Sequence, residues 1–438
     1  MRKPILHNYT DSTQLQNDGV NQSVTKIAGE FRQLINRKSL VVVFSKIMRY
    51  VSYFARVLPY LVLFLPALLY AVIMKFPSKS REVWLISERG DEARDNAYHL
   101  YKYIRTKHPE IDAYFVITDD SADRAKVSQF GNLVRTNSFC HFVYFIIADK
   151  LISTHMYGAA PYGKACLPFL KLLPRKKHVF LQHGVTHRGL VFNDENLDLF
   201  VCSSRLEVEC LQGSSRKVKQ AIQILGMCRY DELQDRAKSN SRKTIVMMPT
   251  FRTWLEDASR LPNRDEIFRN DPYFLFWNRL ISDRKLLGVC EKNDITIVFY
   301  PHYRSQKYLH NFRECSHRVV IADRREYDIQ DLLINGSMLV TDYSSVFFDF
   351  AYMEKPVMYY QFDATKFQKY HYRQGVFSYQ EHGFGPVIDN CDCAVDYIID
   401  RIRSNYRMED KYVDRVRDFF AYTDKKNTER NFEAICEL

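Results

Sequence analysis

The sequence predicts an α/β protein built from two doubly wound, Rossmann-type halves that face a cleft, preceded by a helical extension. Three observations predict it. From residue 82 onward, short apolar runs alternate with amphipathic helical segments, the rhythm of parallel βαβ units. The rhythm runs through the chain twice, and 438 residues are too many for one small core. Polar residues with chemical capacity collect where the apolar runs end, and in open parallel sheets those ends carry the sites.

The elements follow in order. "EVWLISER" reads as a strand and a charged loop, and "DNAYHLYKYIRTKHP" as a helix with Asp95 as its cap. "DAYFVITD" is the next strand. "FVYFIIADKLISTH" is a helix running into a strand, and "HVFLQHG" and "LFVCSS" are two more short strands. The second half repeats the pattern with "KTIVMMPTFR", "DITIVFYPHY", "RVVIAD", "SMLVTDYSS" and "KPVMYY". Residues 394–438 are helical and basic, and return to the first half. The expected domains are 82–235 and 236–400, with 1–81 an N-terminal extension and 401–438 a helical C-terminal segment.

Hydrophobic residues make up 46% and charged residues 26%, as in a folded protein. A net charge of +11 favours an anionic partner: a membrane surface, a phosphorylated substrate or nucleic acid. No zinc finger, aromatic RNA-binding strand or recognition-helix signature is present, so nucleic acid is disfavoured. The ten cysteines are scattered, and the C-x-C of Cys391 and Cys393 has no partner pair at zinc spacing. They read as reduced cytosolic thiols, and no metal is expected. With no glycine-rich dinucleotide loop either, no cofactor is expected.

The extension has its own character. Ser39–Arg56 has helical apolar spacing, with Ser45, Lys46, Arg49, Ser52 and Arg56 on one face. Such a cationic amphipathic helix suits an anionic membrane surface. Val57–Met74 follows, eighteen residues without a charge, interrupted by Pro59 and Pro66. A span needs about 20 apolar residues. The segment therefore reads as a bent, shallowly inserted anchor rather than a full span, which stays open, with a buried core helix pair as the plain alternative. The first apolar segment comes late and lacks a processing site, so no cleavable signal peptide is expected.

Five motifs carry chemistry. In "FLQHGVTHRG", His183 follows a strand and precedes Gly184, which permits close backbone approach to a ligand. An imidazole there suits a general base, and Arg188 suits a phosphate. His187 competes with His183 for the role, and a purely structural histidine is the plain alternative. In "GMCRYDEL", Arg229 follows a glycine turn with Asp231 placed to orient it; a surface salt bridge is the alternative. Thr250 and Arg252 of "MMPTFR" suit phosphate oxygens. His302 of "VFYPHYRS" sits past a strand in cationic surroundings and suits charge stabilisation on a phosphoryl group. In "TDYSSVFFDF" a strand gives way to a helix at Asp342-Tyr343-Ser344-Ser345. Free N–H groups and two hydroxyls there suit an anion, with Asp349 one turn on to accept from a ligand hydroxyl. An ordinary serine cap is the alternative.

On these residues the chain resembles the CDP-glycerol glycerophosphotransferase family, the teichoic acid primases and polymerases and their capsule relatives, from about Glu82 to Asp389. "TDYSSVFFDFAYMEKP" is close to the family's T-D-Y-S-S-x-x-x-D-x-A-x-x-x-x-P signature. "QHG" with Arg188 matches its H-G-x-x-x-K region, with arginine for lysine. "PTFR" matches P-T-[YFW]-R, and "ERGDEARDNAYHLYKY" resembles its first-domain entry. Two departures stand out: Cys228 replaces the proline of G-x-P-R-x-D, and Pro301 precedes His302 where the family has His-Pro.

The resemblance implies a GT-B-like fold. It implies His183 as base on an acceptor hydroxyl and His302 as support for the donor phosphates. It places Arg229, Thr250, Arg252, Ser344, Ser345 and Asp349 around a CDP-alditol donor, with Gly184 and Arg188 the further substrate-binding candidates. It also implies a lipid-linked saccharide or polymer acceptor and work at the cytoplasmic membrane face, peripheral or monotopic. A sugar-nucleotide glycosyltransferase of the same fold, acting in capsule or lipopolysaccharide synthesis, is one rival, and a non-catalytic membrane-associated binding protein that kept the cleft is another.

Overall fold

The structure is a computed structural model that describes residues 62–73, 82–163, 173–188, 191–193, 196–240, 242–371 and 375–438. The Ser39–Arg56 amphipathic segment lies outside the described residues, as does part of Val57–Met74. The chain divides into two compact units, Met1–Leu181 and Gln182–Leu438.

In the first unit five parallel strands, β1 (Val83–Ser87), β2 (Asp112–Ile117), β3 (Leu133–Arg135), β4 (Lys150–Ser153) and β5 (Lys177–Phe180), lie in the order β3-β2-β1-β4-β5. The order reverses beside β1, which pairs with β2 through Trp84 and Ala113 and with β4 through Trp84 and Lys150. This is the doubly wound pattern that the alternating sequence predicts. The helix Asn96–Lys107 starts where Asp95 accepts from the Asn96 N–H, the expected cap.

Residues 62–73 form a helix. Phe64, Ala67 and Ala71 bury one side of it in the core beside Phe142 of the helix Phe139–Ile147, with the two phenylalanine rings 6.5 Å apart. Its other side keeps Val62, Leu65, Leu69, Val72 and Ile73 exposed by 59–67%. The segment is thus part core helix and part open apolar face. Among the described residues no helix is long and apolar enough to cross a membrane.

The second unit holds a parallel pair, β6 (Leu197–Cys202) and β7 (Ile222–Ile224). It also holds a six-stranded parallel sheet of β8 (Lys243–Met248), β9 (Ile295–Phe299), β10 (Val319–Ile321), β11 (Met338–Thr341), β12 (Val357–Tyr360) and β13 (Val387–Ile388). The order is β10-β9-β8-β11-β12-β13. Side chains alternate between its faces with period two. Ile245, Met247, Ile297, Phe299, Val340 and Tyr360 pack into one core with the helices Pro272–Ile281 and Cys391–Arg403. Val246, Met248, Val298, Leu339 and Tyr359 pack into another with the helices Val346–Tyr352 and Asp410–Phe419. Both faces are covered, which is why these strands read as unbroken apolar runs. Each fully buried large side chain contributes about 1.5–3 kcal/mol.

The C-terminal region forms three helices, ending in Asn427–Cys436. That last helix docks on the 3₁₀ turn Cys228–Glu232, the return that its sequence predicts. Asp231, expected to orient Arg229, does something else. Its carboxylate accepts from the N–H groups of Asn427 (3.0 Å) and Thr428 (2.7 Å), so it caps this helix.

Candidate active site

All ten residues singled out from the sequence lie in the unit Gln182–Leu438. At the end of β11 the chain turns through Asp342, which is fully buried. Its Oδ1 accepts from the N–H of Thr250 at 2.8 Å and of Tyr343 at 2.5 Å. The ends of β8 and β11 are thereby joined. Arg252 locks the joint from behind. Its Nη1 lies 2.9 Å from Asp342 Oδ2 and donates to the Thr250 carbonyl at 2.7 Å. Its Nε and Nη2 form a fork on Asp363 at 2.7 and 3.1 Å, and the Tyr343 hydroxyl donates to the same carboxylate.

Arg252 is 1% exposed, and the two carboxylates hold its guanidinium firmly charged against burial. The sequence reading put it on donor phosphate; the structure turns it toward protein carboxylates. A second buried pair stands nearby. Arg229 grips Asp349 bidentately, Nε to Oδ1 at 2.5 Å and Nη2 to Oδ2 at 2.9 Å. These two residues, both expected at the donor, bind each other.

The front of the turn is different. Ser344 and Ser345 are half-buried, and Ser345 precedes the helix Val346–Tyr352 with helical backbone and no side-chain capping bond. The ordinary cap is therefore not how this hydroxyl is used. A Cβ placed on Gly184 would come within 2.8 Å of Ser345 Oγ, so a side chain there would force that hydroxyl to turn away. The Arg188 guanidinium donates to the Tyr343 carbonyl. The segment His183–Arg188 thus lies on the turn Asp342–Ser345. His183 itself is exposed. Thr250 Oγ1 is buried and has no hydrogen-bond partner among the described residues.

His302, half-buried, stacks at 4.9 Å on Phe251, and its Nδ1 accepts from the Arg304 N–H at 3.3 Å. Phe251 meets a third histidine, His371, at 4.5 Å on an edge-to-face contact. His371 Nδ1 accepts from the Thr253 N–H at 3.0 Å, which leaves the ring proton on Nε2. Burial and the positive charges of Arg188, Arg252, His302 and Arg304 push its pKa down to about 2. This corner is strongly electropositive. Sequence reading missed His371, which follows no strand and lies beyond a lysine-rich helical segment.

His187, the competitor of His183, is resolved by burial. Its ring sits among Phe347, Phe348, Phe377 and Tyr379. Nδ1 faces the Val185 carbonyl and Nε2 the Tyr379 hydroxyl, both at 3.2 Å. Desolvation, then Arg188, lowers its pKa to about 3. It is a neutral packing residue.

Taken together, the strand ends of a doubly wound α/β unit assemble hydroxyls, backbone N–H groups and positive charge at one turn, with an exposed imidazole beside it. An arrangement of this kind suits an anionic group. The chain belongs to the family described as CDP-Glycerol:Poly(glycerophosphate) glycerophosphotransferase, whose pattern it matches over residues 68–437. It is 35% identical over 369 residues to the minor teichoic acid biosynthesis protein GgaB of Bacillus subtilis (strain 168), covering 82% of this chain and 40% of that one. It is 29% identical over 168 residues to a teichoic acid glycerol-phosphate transferase of Staphylococcus aureus (strain NCTC 8325 / PS 47), 38% of each chain. The chain therefore spans about two fifths of these curated relatives. Its fold is that of the wall teichoic acid polymerase TagF, with a TM-score of 0.60 at 17% identity over 91% of this chain and 98% of that structure.

Proposed function

We propose that the chain transfers an alditol phosphate, glycerol phosphate foremost, from a CDP-activated donor to a hydroxyl of a lipid-linked or polymeric saccharide in cell-wall or capsule polymer synthesis. The observation that carries this is the seat of the His183–Arg188 segment on the Asp342–Ser345 turn, where Gly184 admits Ser345 Oγ. Family membership supports the donor class. A structure of a TagF variant soaked with CDPG supports it in a protein of the same fold.

His183 takes the proton of the acceptor hydroxyl, and that oxygen attacks the β-phosphorus of the donor. The new P–O bond forms as the bond to the bridging oxygen breaks, and CMP leaves with the electron pair. Ser344, Ser345, Thr250 and His302 hold the phosphate oxygens, with Arg188 adding charge. Arg252, Arg229 and Asp349 act from behind, keeping the turn in place. Positioning and electrostatic stabilisation supply most of the rate. Residues 82–235 serve the acceptor, 236–400 the donor nucleotide, and 401–438 form a helical C-terminal segment. The apolar outer side of residues 62–73, in a region rich in Lys and Arg, rests on the cytoplasmic membrane surface.

The test is incubation of the protein and membrane acceptor with CDP-glycerol, CDP-ribitol, and UDP- or CMP-sugars, reading nucleotide release and product mass. CMP release with a glycerol phosphate mass increment is expected. Turnover of sugar nucleotides alone would overturn the proposal in favour of a glycosyltransferase.

A further inference from the structure

The loop that carries His183 is fastened at both ends to one carboxylate. Gln182 sits before it with φ of 59°, a left-handed conformation that a non-glycine residue adopts only when its surroundings impose it. The imposing contacts are explicit. Gln182 Nε2 donates to the Val201 carbonyl at 2.5 Å and to Glu207 Oε1 at 2.9 Å. On the far side of His183, the Thr186 N–H donates to the same Oε1 at 2.7 Å, and the Thr186 hydroxyl donates to Gln182 Oε1 at 2.7 Å. The other carboxylate oxygen, Oε2, accepts from the Ser203 N–H at the end of β6 at 2.6 Å. Glu207 is 1% exposed and stands in the first turn of the helix Arg205–Cys210, where Ser204 caps its N–H at 3.1 Å.

We propose that Glu207 is the positioning residue for His183, fixing the angle at which the imidazole meets the acceptor; this rests on the reading of His183 as base. An ionised carboxylate accepts from Gln182, Thr186 and Ser203 together and presents no proton to any of them. Burial raises its pKa to about 7, with the three donors and the charge of Arg229 opposing that rise.

The experiment compares the full chain with Glu207→Gln and Thr186→Val. The first replaces one carboxylate oxygen by a donor that faces N–H groups. The second keeps the carboxylate and removes only the hydroxyl bond to Gln182, so it reports even where Glu207→Gln fails to fold. A misplaced base costs turnover and not donor binding. The expected loss in kcat is about 100-fold for Glu207→Gln and about tenfold for Thr186→Val, with the KM for CDP-glycerol within about threefold of the parent. In the unliganded protein, the His183 ring resonance, assigned by its disappearance in His183→Ala, is expected to broaden or split in both variants. Turnover at the parent rate with a sharp His183 signal overturns the inference, as does an equal loss of kcat and donor affinity. Absence of CMP release by the parent would overturn the functional reading instead, and the resonance would still report on the loop.

Discussion

The two sides of the Asp342–Ser345 turn use polar residues in opposite ways. Behind it, Arg252 is enclosed by Asp342 and Asp363, and Arg229 by Asp349. In front lie an exposed His183, half-buried Ser344 and Ser345, and a Thr250 hydroxyl that no described group satisfies. The full charges at the back are spent on geometry, while at the front hydroxyls and imidazoles predominate. The physical reason is desolvation. A buried ion pair adds little net stability, but its directional forks fix where a backbone turn sits. The turn is thereby held in one geometry whether or not anything is bound in front of it.

The largest expected effect separates chemistry from binding at the front. His183→Ala should lower kcat by about 10³-fold while CDP-glycerol affinity changes less than about threefold, measured by CMP release and calorimetry. Near-normal turnover would remove His183 as the base.

At the back, Arg252→Met strands two buried carboxylates and should cost about 3–5 kcal/mol in urea unfolding. A variant of unchanged stability with weakened donor binding would move Arg252 to the front and dissolve the contrast.

Smaller still is the contact that joins the loop to the turn. Gly184→Ala pushes on Ser345 Oγ, so Gly184→Ala and Ser345→Ala should each lower kcat/KM by about tenfold, with the double variant no worse than either alone. Additive losses would mean that the two residues act apart.

A further test concerns pH and His187, which burial keeps neutral down to about pH 3. Between that value and its unfolded value near 6.5, the folded state binds fewer protons than the unfolded one, so stability rises with pH across the window and is lost on acidification. His187→Gln should flatten this dependence by up to about 1.4 kcal/mol per pH unit, read by denaturant titration from pH 4 to 7. His141 and His371, also lowered by burial, contribute the same sign and remain.

Legibility differed between these layers. The longer strands of both units were readable, because strands covered on both faces must be apolar throughout. Leu133–Arg135 and Val387–Ile388, the one three residues long and the other two, were not. The turn itself was readable, because an acid and two hydroxyls directly after an apolar strand break its pattern within the sequence. Which side each charged residue faces was hidden. Asp363 lies 111 positions from Arg252, and Asp349 lies 120 from Arg229. Nothing local to "PTFR" or "GMCRYDEL" reveals a carboxylate so far away. Glu207 was invisible for the same reason, and His371 because it follows no strand.

By itself, then, the sequence determined the alternation of elements, the strand ends at which polar residues gather, and the family to which they point. These are properties of neighbouring residues, written in periodicity and motif. Only the tertiary structure decided that His183 is exposed and His187, four residues on, is buried. It alone decided which arginines brace and which hydroxyls wait. Burial and partner choice arise when segments far apart in sequence are packed together, and the desolvation and pairing of a charge exist only after that packing is made.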